Sequence, residues 1–136
     1  MPDKLYDLLK PNGKLVILYM AWLPGEDKIA GASEELVRKY NPQWSGAGET
    51  RHLQDIPDIY THCFEIEMNT TYDLQVPFTR ETWNGRIRAC RGIGASLPEE
   101  KVHQFNIEHQ NLLQQIAPDE FEIRHYTAMT ILKSKK

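Results

Sequence analysis

Hydrophobic and polar positions alternate along this chain with two different periods, and the switches between them mark out its elements. Leu5, Leu8 and Leu9 recur at helical spacing until Pro11-Asn12-Gly13 punctuates a turn, which predicts a short opening helix. Leu15 to Trp22 then runs apolar on both alternating faces, the pattern of a strand with both sides of its sheet covered. Pro24-Gly25 ends it. From Glu26 to Tyr40, the residues Ile29, Leu36, Val37 and Tyr40 form one apolar stripe opposite a charged face, predicting a helix. Asn41 to Pro57, rich in Gly, Pro and polar residues, reads as a loop.

From Phe64 to Phe78 the even positions Phe64, Ile66, Met68, Thr70, Tyr72, Leu74, Val76 and Phe78 face one way. Glu65, Glu67, Asn69, Thr71, Asp73 and Gln75 face the other. This period of two predicts a long, half-buried strand. Thr79 is placed to cap a helix through Trp83 and Ile87, which Arg91-Gly92-Ile93-Gly94 breaks. Ser96-Leu97-Pro98-Glu99 fits a capping box ahead of a long helix striped by Val102, Phe105, His109, Leu112, Leu113 and Ile116. Phe121 to Leu132 alternates again as a last strand. The order is helix, buried strand, helix, loop, amphipathic strand, two helices, strand, with no repeat, and it predicts one compact layer in a single domain over residues 1–136.

Composition narrows the functional classes. A chain of 136 residues with 40% hydrophobic content supports one modest core. Sixteen basic and nineteen acidic residues, net −3, are spread through the sequence. No charged stretch draws in nucleic acid or an anionic membrane. The apolar run Leu15 to Leu23 falls far short of the ~20 residues that cross a bilayer, so a soluble, cytoplasmic protein is expected. Cys63 and Cys90 lie apart with no CxxC spacing; free thiols in a reducing compartment are the simplest reading, a disulfide the other. Lys133-Ser134-Lys135-Lys136 reads as a solvated tail.

Two stretches carry a family resemblance. Leu8-Leu9-Lys10-Pro11-Asn12-Gly13-Lys14-Leu15-Val16-Ile17 resembles the "LLKPGG-x-L-x-I" segment leading into the fifth strand of class I S-adenosylmethionine-dependent methyltransferases, with Asn12 in place of the first glycine. Phe78 to Gly92 (Phe-Thr-Arg-Glu-Thr-Trp-Asn-Gly-Arg-Ile-Arg-Ala-Cys-Arg-Gly) is similar to a segment late in small-molecule members of that family. Ser96 to Glu100 and the last strand follow in the family's order. The resemblance implies the C-terminal half of a Rossmann-like fold: α/β in class, or α+β taken as a fragment. It implies a mixed three-stranded sheet with an antiparallel last pair and about four helices. By the same resemblance, the strand from Lys14 is expected beside the last strand, which is expected to pair antiparallel with the strand from Phe64.

The family's cofactor site departs most. There, a Gly-rich turn follows the first strand and an acidic residue the second, because backbone must approach the cofactor closely. Neither is present, and Gly92-Ile93-Gly94 lies between two helices. No cofactor is expected to bind this chain alone, while S-adenosylmethionine serves the complete family enzyme.

Candidate substrate-binding residues are Trp22, Trp44, Arg86 and Arg91. Trp22 ends a strand where open α/β sheets bind ligands, and the arginines can meet a carboxylate bidentately. The plainer readings are core packing for Trp83, the third tryptophan that could wall such a pocket, and helix-dipole stabilisation for Arg88 and Arg91. No metal is expected: His52, His62, His103, His109 and His125 show no zinc-ligand spacing. Glu65, Glu67, Asp73 and Glu122 fall on solvated strand faces. No catalytic residue is identified.

Two functions follow. One is a truncated, methyltransferase-like transferase half, inactive alone, that contributes the substrate side to a complementary N-terminal half. The other is a non-enzymatic remnant, an α/β domain that self-associates as a homodimer, which the Met1-Pro2 start ahead of the linking helix favours. A small-ligand-binding domain unrelated to methyl transfer is a third. Either of the first two leaves Leu15 to Trp22 without its family neighbour, strand four, and with an open edge.

Overall fold

The computed structural model describes residues 2–136, so Met1 lies outside the described residues. Its elements are α1 (Pro2–Leu8), β1 (Lys14–Trp22), α2 (Lys28–Tyr40), a 3-10 turn (Asp58–His62), β2 (Phe64–Thr79), α3 (Arg80–Arg88), α4 (Glu99–Ile116) and β3 (Glu120–Ser134). The structure is α/β, with four helices and one three-stranded sheet in the order β1-β3-β2. The backbone N–H of Ser134 donates to Gly13 and that of Leu23 to Arg124, so β3 runs against β1. Lys135 donates to Cys63 and Arg80 to Asp119, so β3 runs against β2 too. The expected mixed sheet is therefore wholly antiparallel. With the last strand in the middle, the two strands that share a direction never touch.

Local chemistry sets the boundaries. Asn12 sits at φ 61°, the left-handed region that glycine enters freely and asparagine tolerates, and this turns α1 into β1. Asp27 caps α2 by accepting from the Ala30 N–H at 2.9 Å. Thr79 and Thr82 form a reciprocal capping box at the start of α3. The capping box expected at Ser96 is absent. Pro98 is the N-cap of α4 without a side-chain bond, and the Ser96 hydroxyl donates instead to the Arg91 carbonyl. Glu99 and Glu100 in the first turn complement the exposed N–H groups of α4. Pro77 lies inside β2, tolerable because β2 is an edge strand.

The chain divides into two compact units. The first comprises Met1–Ala21, Arg51–Asp73 and Tyr126–Lys136, the second Trp22–Thr50 and Leu74–His125. The second holds the main core, where Trp83, Ile87, Ile93, Phe105, Leu113 and Ile123 are all sealed from solvent. There α4 packs on both α2 and α3.

In the first unit, Phe64, Tyr126, Ala128 and Leu132 are buried, and Tyr6 and Tyr60 lie against Phe64 at 6.2 and 6.4 Å between rings. Three expectations are corrected there. β1 was read as covered on both faces, yet Val16, Leu18 and Met20 are 50%, 62% and 52% exposed; the other side is covered in part, with Leu15 and Ile17 half-buried and His52 and Tyr126 beside Tyr19, which itself stays exposed. On β2, Ile66, Met68 and Tyr72 of the apolar set are exposed, because no helix of the unit reaches across them as α3 does across Phe78 in the second unit. The terminal lysines are no free tail. β3 continues to Ser134, and the Lys136 ammonium donates to the carbonyls of Tyr6 and Leu9 at the end of α1 while sitting 4.9 Å from the Tyr6 ring. A cation there satisfies carbonyls left without helical partners.

Neither cysteine is in a disulfide. Among the described residues, no helix is long and apolar enough to cross a membrane.

Candidate functional site

The four candidate residues all fall in the second unit, where they form two pairs instead of one site. Trp22, last in β1, is 9% exposed and donates its indole N–H to Glu34 Oε2 at 2.6 Å. Glu34, itself buried, accepts with its other oxygen from the Gly48 N–H at 2.9 Å. One carboxylate therefore ties the end of β1, the middle of α2 and the following loop together. Arg86 lies over the Trp22 ring, 4.9 Å from its centre. Stacking occupies the face of the guanidinium and leaves its in-plane donors available.

His125 borders the same cluster, with its ring 6.5 Å from Trp22 and stacked 6.2 Å from Phe78. Its Nδ1 bonds the Ile123 carbonyl at 2.9 Å, an acceptor, so the proton sits on Nδ1. Burial pushes this imidazole below its ordinary pKa, and the positive field of Arg86 adds to that, against the opposing pull of the Ile123 carbonyl and Asp27. His125 is thus a neutral imidazole beside an aromatic and cationic patch. Sequence reasoning passed over it for want of ligand spacing; its place in β3 opposite Trp22 was the available signal.

Trp44 and Arg91 meet elsewhere. Both line a recess of about 540 Å³ with Asn41, Gln43, Ser45, Gly46, Ser96 and Leu97.

A buried polar chain, also missed, lies under the first pair. Ser33 Oγ is 2.9 Å from His109 Nε2, Asn84 Nδ2 is 2.9 Å from His109 Nδ1, and the Trp83 indole N–H donates to Ser33 Oγ at 3.0 Å. The residue types resemble a nucleophile with its base, but the protons run the wrong way. Arg88 donates to Asn84 Oδ1, which leaves the Asn84 amide N–H₂ to donate to Nδ1. His109 therefore carries its proton on Nε2 and donates to Ser33, so it has no lone pair with which to activate that hydroxyl. Ser33 and His109 are both sealed from solvent, and burial lowers the His109 pKa from 6.5 to about 4. The chain is a satisfied core network. Its signal in sequence is polar residues on apolar stripes: His109 between Phe105 and Leu113, Ser33 between Ile29 and Val37.

Gly92-Ile93-Gly94 closes the turn after α3. Ile93 is fully buried, and a Cβ on Gly94 would fall 2.6 Å from the Arg88 carbonyl oxygen. Gly94 makes room for the protein's own backbone. Among the described residues, no group of three or more His, Cys, Asp or Glu side chains is arranged to hold a metal. Glu67 and Asp73 are engaged in surface ion pairs with Lys14 and Arg51. Compared with known proteins, the chain matches no family model and no curated protein.

Proposed function

We propose that these residues form the substrate-side half of a class I S-adenosylmethionine-dependent methyltransferase fold, with the cofactor half supplied from outside them. The observation that carries this reading is the strand order. A last strand inserted between two earlier ones is the order that the resemblance at Leu8–Ile17 and Phe78–Gly92 implies, and it supports the reading although the sheet is wholly antiparallel where a mixed one was expected.

Two further features support it. Asn12 is left-handed at the position where the family motif has glycine, so the substitution keeps the turn's geometry. β1 lies at a sheet edge with Val16, Leu18 and Met20 exposed, as expected of a strand whose parallel neighbour belongs to the missing half. The role of this half is to shape the acceptor pocket, where orientation of the acceptor supplies much of the rate. Arg86, exposed and stacked on the buried Trp22 ring, is the group there suited to meet an anionic acceptor.

Calorimetric titration with S-adenosylmethionine and S-adenosylhomocysteine tests this reading. The chain alone is expected to give no saturable heat, and addition of an N-terminal methyltransferase half that carries the Gly-rich turn is expected to restore binding. Micromolar binding by the chain alone would overturn it. A second reading, a non-enzymatic domain that self-associates, is favoured by the same exposed residues of β1. It predicts self-association without any gain of cofactor binding on adding that half.

A further inference from the structure

We propose that the recess beside Trp44 is a binding site for a small, flat organic monocarboxylate. It stands apart from the Trp22–Arg86 patch, and the inference does not depend on the methyltransferase reading. The recess has a cation and no acid: Arg91 makes no ion pair among the described residues, and no carboxylate lines the walls. Arg91 is an exposed lining residue, and its unneutralised guanidinium offers one positive charge and a planar fork that matches a carboxylate.

The rest of the lining suits the body of such a ligand. The half-buried Trp44 ring and Leu97 give an apolar wall. The Trp44 indole N–H and the side chains of Gln43 and Ser45 have no protein partners among the described residues, so their hydrogen-bonding capacity is open to a ligand. About 540 Å³ lies within the range of small-molecule sites.

The recess is also built in advance. A Cβ on Gly92 would lie 2.6 Å from Val37 Cγ1 and 2.9 Å from Trp44 Cδ2, so the indole rests directly on backbone beside Arg91. A Cβ on Gly46 would lie 2.5 Å from Trp44 Nε1, so the loop closes over the ring's edge only with glycine there. Asn41 Nδ2 donates to the Gly92 carbonyl at 2.9 Å, and the Ser96 hydroxyl donates to that of Arg91. Both walls are therefore fixed before a ligand arrives, which lowers the ordering cost of binding.

The test is calorimetric titration of the chain with benzoate, benzamide and inorganic phosphate, repeated on Arg91→Gln, Arg91→Lys and the remote surface variant Lys28→Gln. Benzoate is expected to bind saturably, with benzamide at least ~10-fold weaker and Arg91→Gln weakening benzoate by ~10-fold or more. Arg91→Lys should fall between, because it keeps the charge and loses the fork, and Lys28→Gln should bind as the parent does. Thermal melts of each variant establish that it is folded. The proposal is overturned by no saturable heat at millimolar benzoate, by equal binding of benzamide or phosphate, or by a folded Arg91→Gln that binds unchanged. These outcomes are separate from those of the cofactor titration, since no cofactor half is added.

Discussion

The two units of this chain use similar amounts of apolar side chain to different ends. In the second, helices cover the sheet, and only Ile107 and Ile116 are large hydrophobics left exposed. In the first, Leu8, Val16, Leu18, Tyr19, Met20, Leu53, Ile59, Ile66, Met68 and Tyr72 all are. Burial of apolar area is the main stabilising term in folding, so the second unit has satisfied its sequence internally and the first has not. The difference teaches that hydrophobic pattern records the surroundings a strand is made for. In β1 the surroundings present leave Val16, Leu18 and Met20 exposed at a sheet edge, which the proposed function explains by a neighbour supplied from outside these residues.

The sharpest way to break the comparison is to remove one large side chain from each unit. Trp83→Ala deletes a fully buried ring and one of the two hydrogen bonds that Ser33 Oγ accepts, and should cost about 3–5 kcal/mol in urea unfolding. Leu18→Ala, at 62% exposure, should change stability by less than about 0.5 kcal/mol. Comparable losses at both sites would mean that Leu18 is buried in solution.

Acid should act through the second unit. Burial depresses the folded pKa of His109 from 6.5 to about 4, so on acidification the unfolded chain takes up the proton first. The contribution is complete above about pH 6.5, is lost as pH falls toward 4, and amounts to roughly 3 kcal/mol. His125 is shifted the same way and steepens the loss. His109→Gln should flatten the pH profile of unfolding across that window; an unchanged profile would place the titration elsewhere.

A smaller effect refines the candidate site. Arg86→Ala removes the cation over Trp22 and should cost only about 0.5–1 kcal/mol. Because Arg86 helps hold the His125 pKa down, the same change should raise that pKa in an NMR titration. A His125 pKa that stays put would separate the two residues.

Much of this was legible in sequence because the signals were local. The apolar stripe of α4, the threonine ahead of α3 and the punctuation at Pro11-Asn12-Gly13 each need only a few neighbouring residues to act. The strand order came from the resemblance, since no periodicity fixes which strands pair. What stayed hidden was non-local. Five residues of 3-10 turn at Asp58–His62 are too short to show a period. Ser96 looked like a cap because its spacing to Glu99 is right, but the Arg91 carbonyl competes for its hydroxyl. Trp22, Trp44, Arg86 and Arg91 form one set of substrate-binding candidates in sequence, and only the fold reveals that each tryptophan pairs with a different arginine. The exposed face of β1 could not be foreseen from its pattern, which describes what the strand would bury if it were covered.

That claim about β1 meets its most direct test in sedimentation velocity over a wide concentration range, comparing the parent chain with Leu18→Lys. An apolar edge strand should recruit a neighbour, and a lysine on it should block pairing. The expected result is concentration-dependent association of the parent and a folded monomer for Leu18→Lys; a parent chain that stays monomeric at the highest concentration would contradict the idea that β1 is made for a partner.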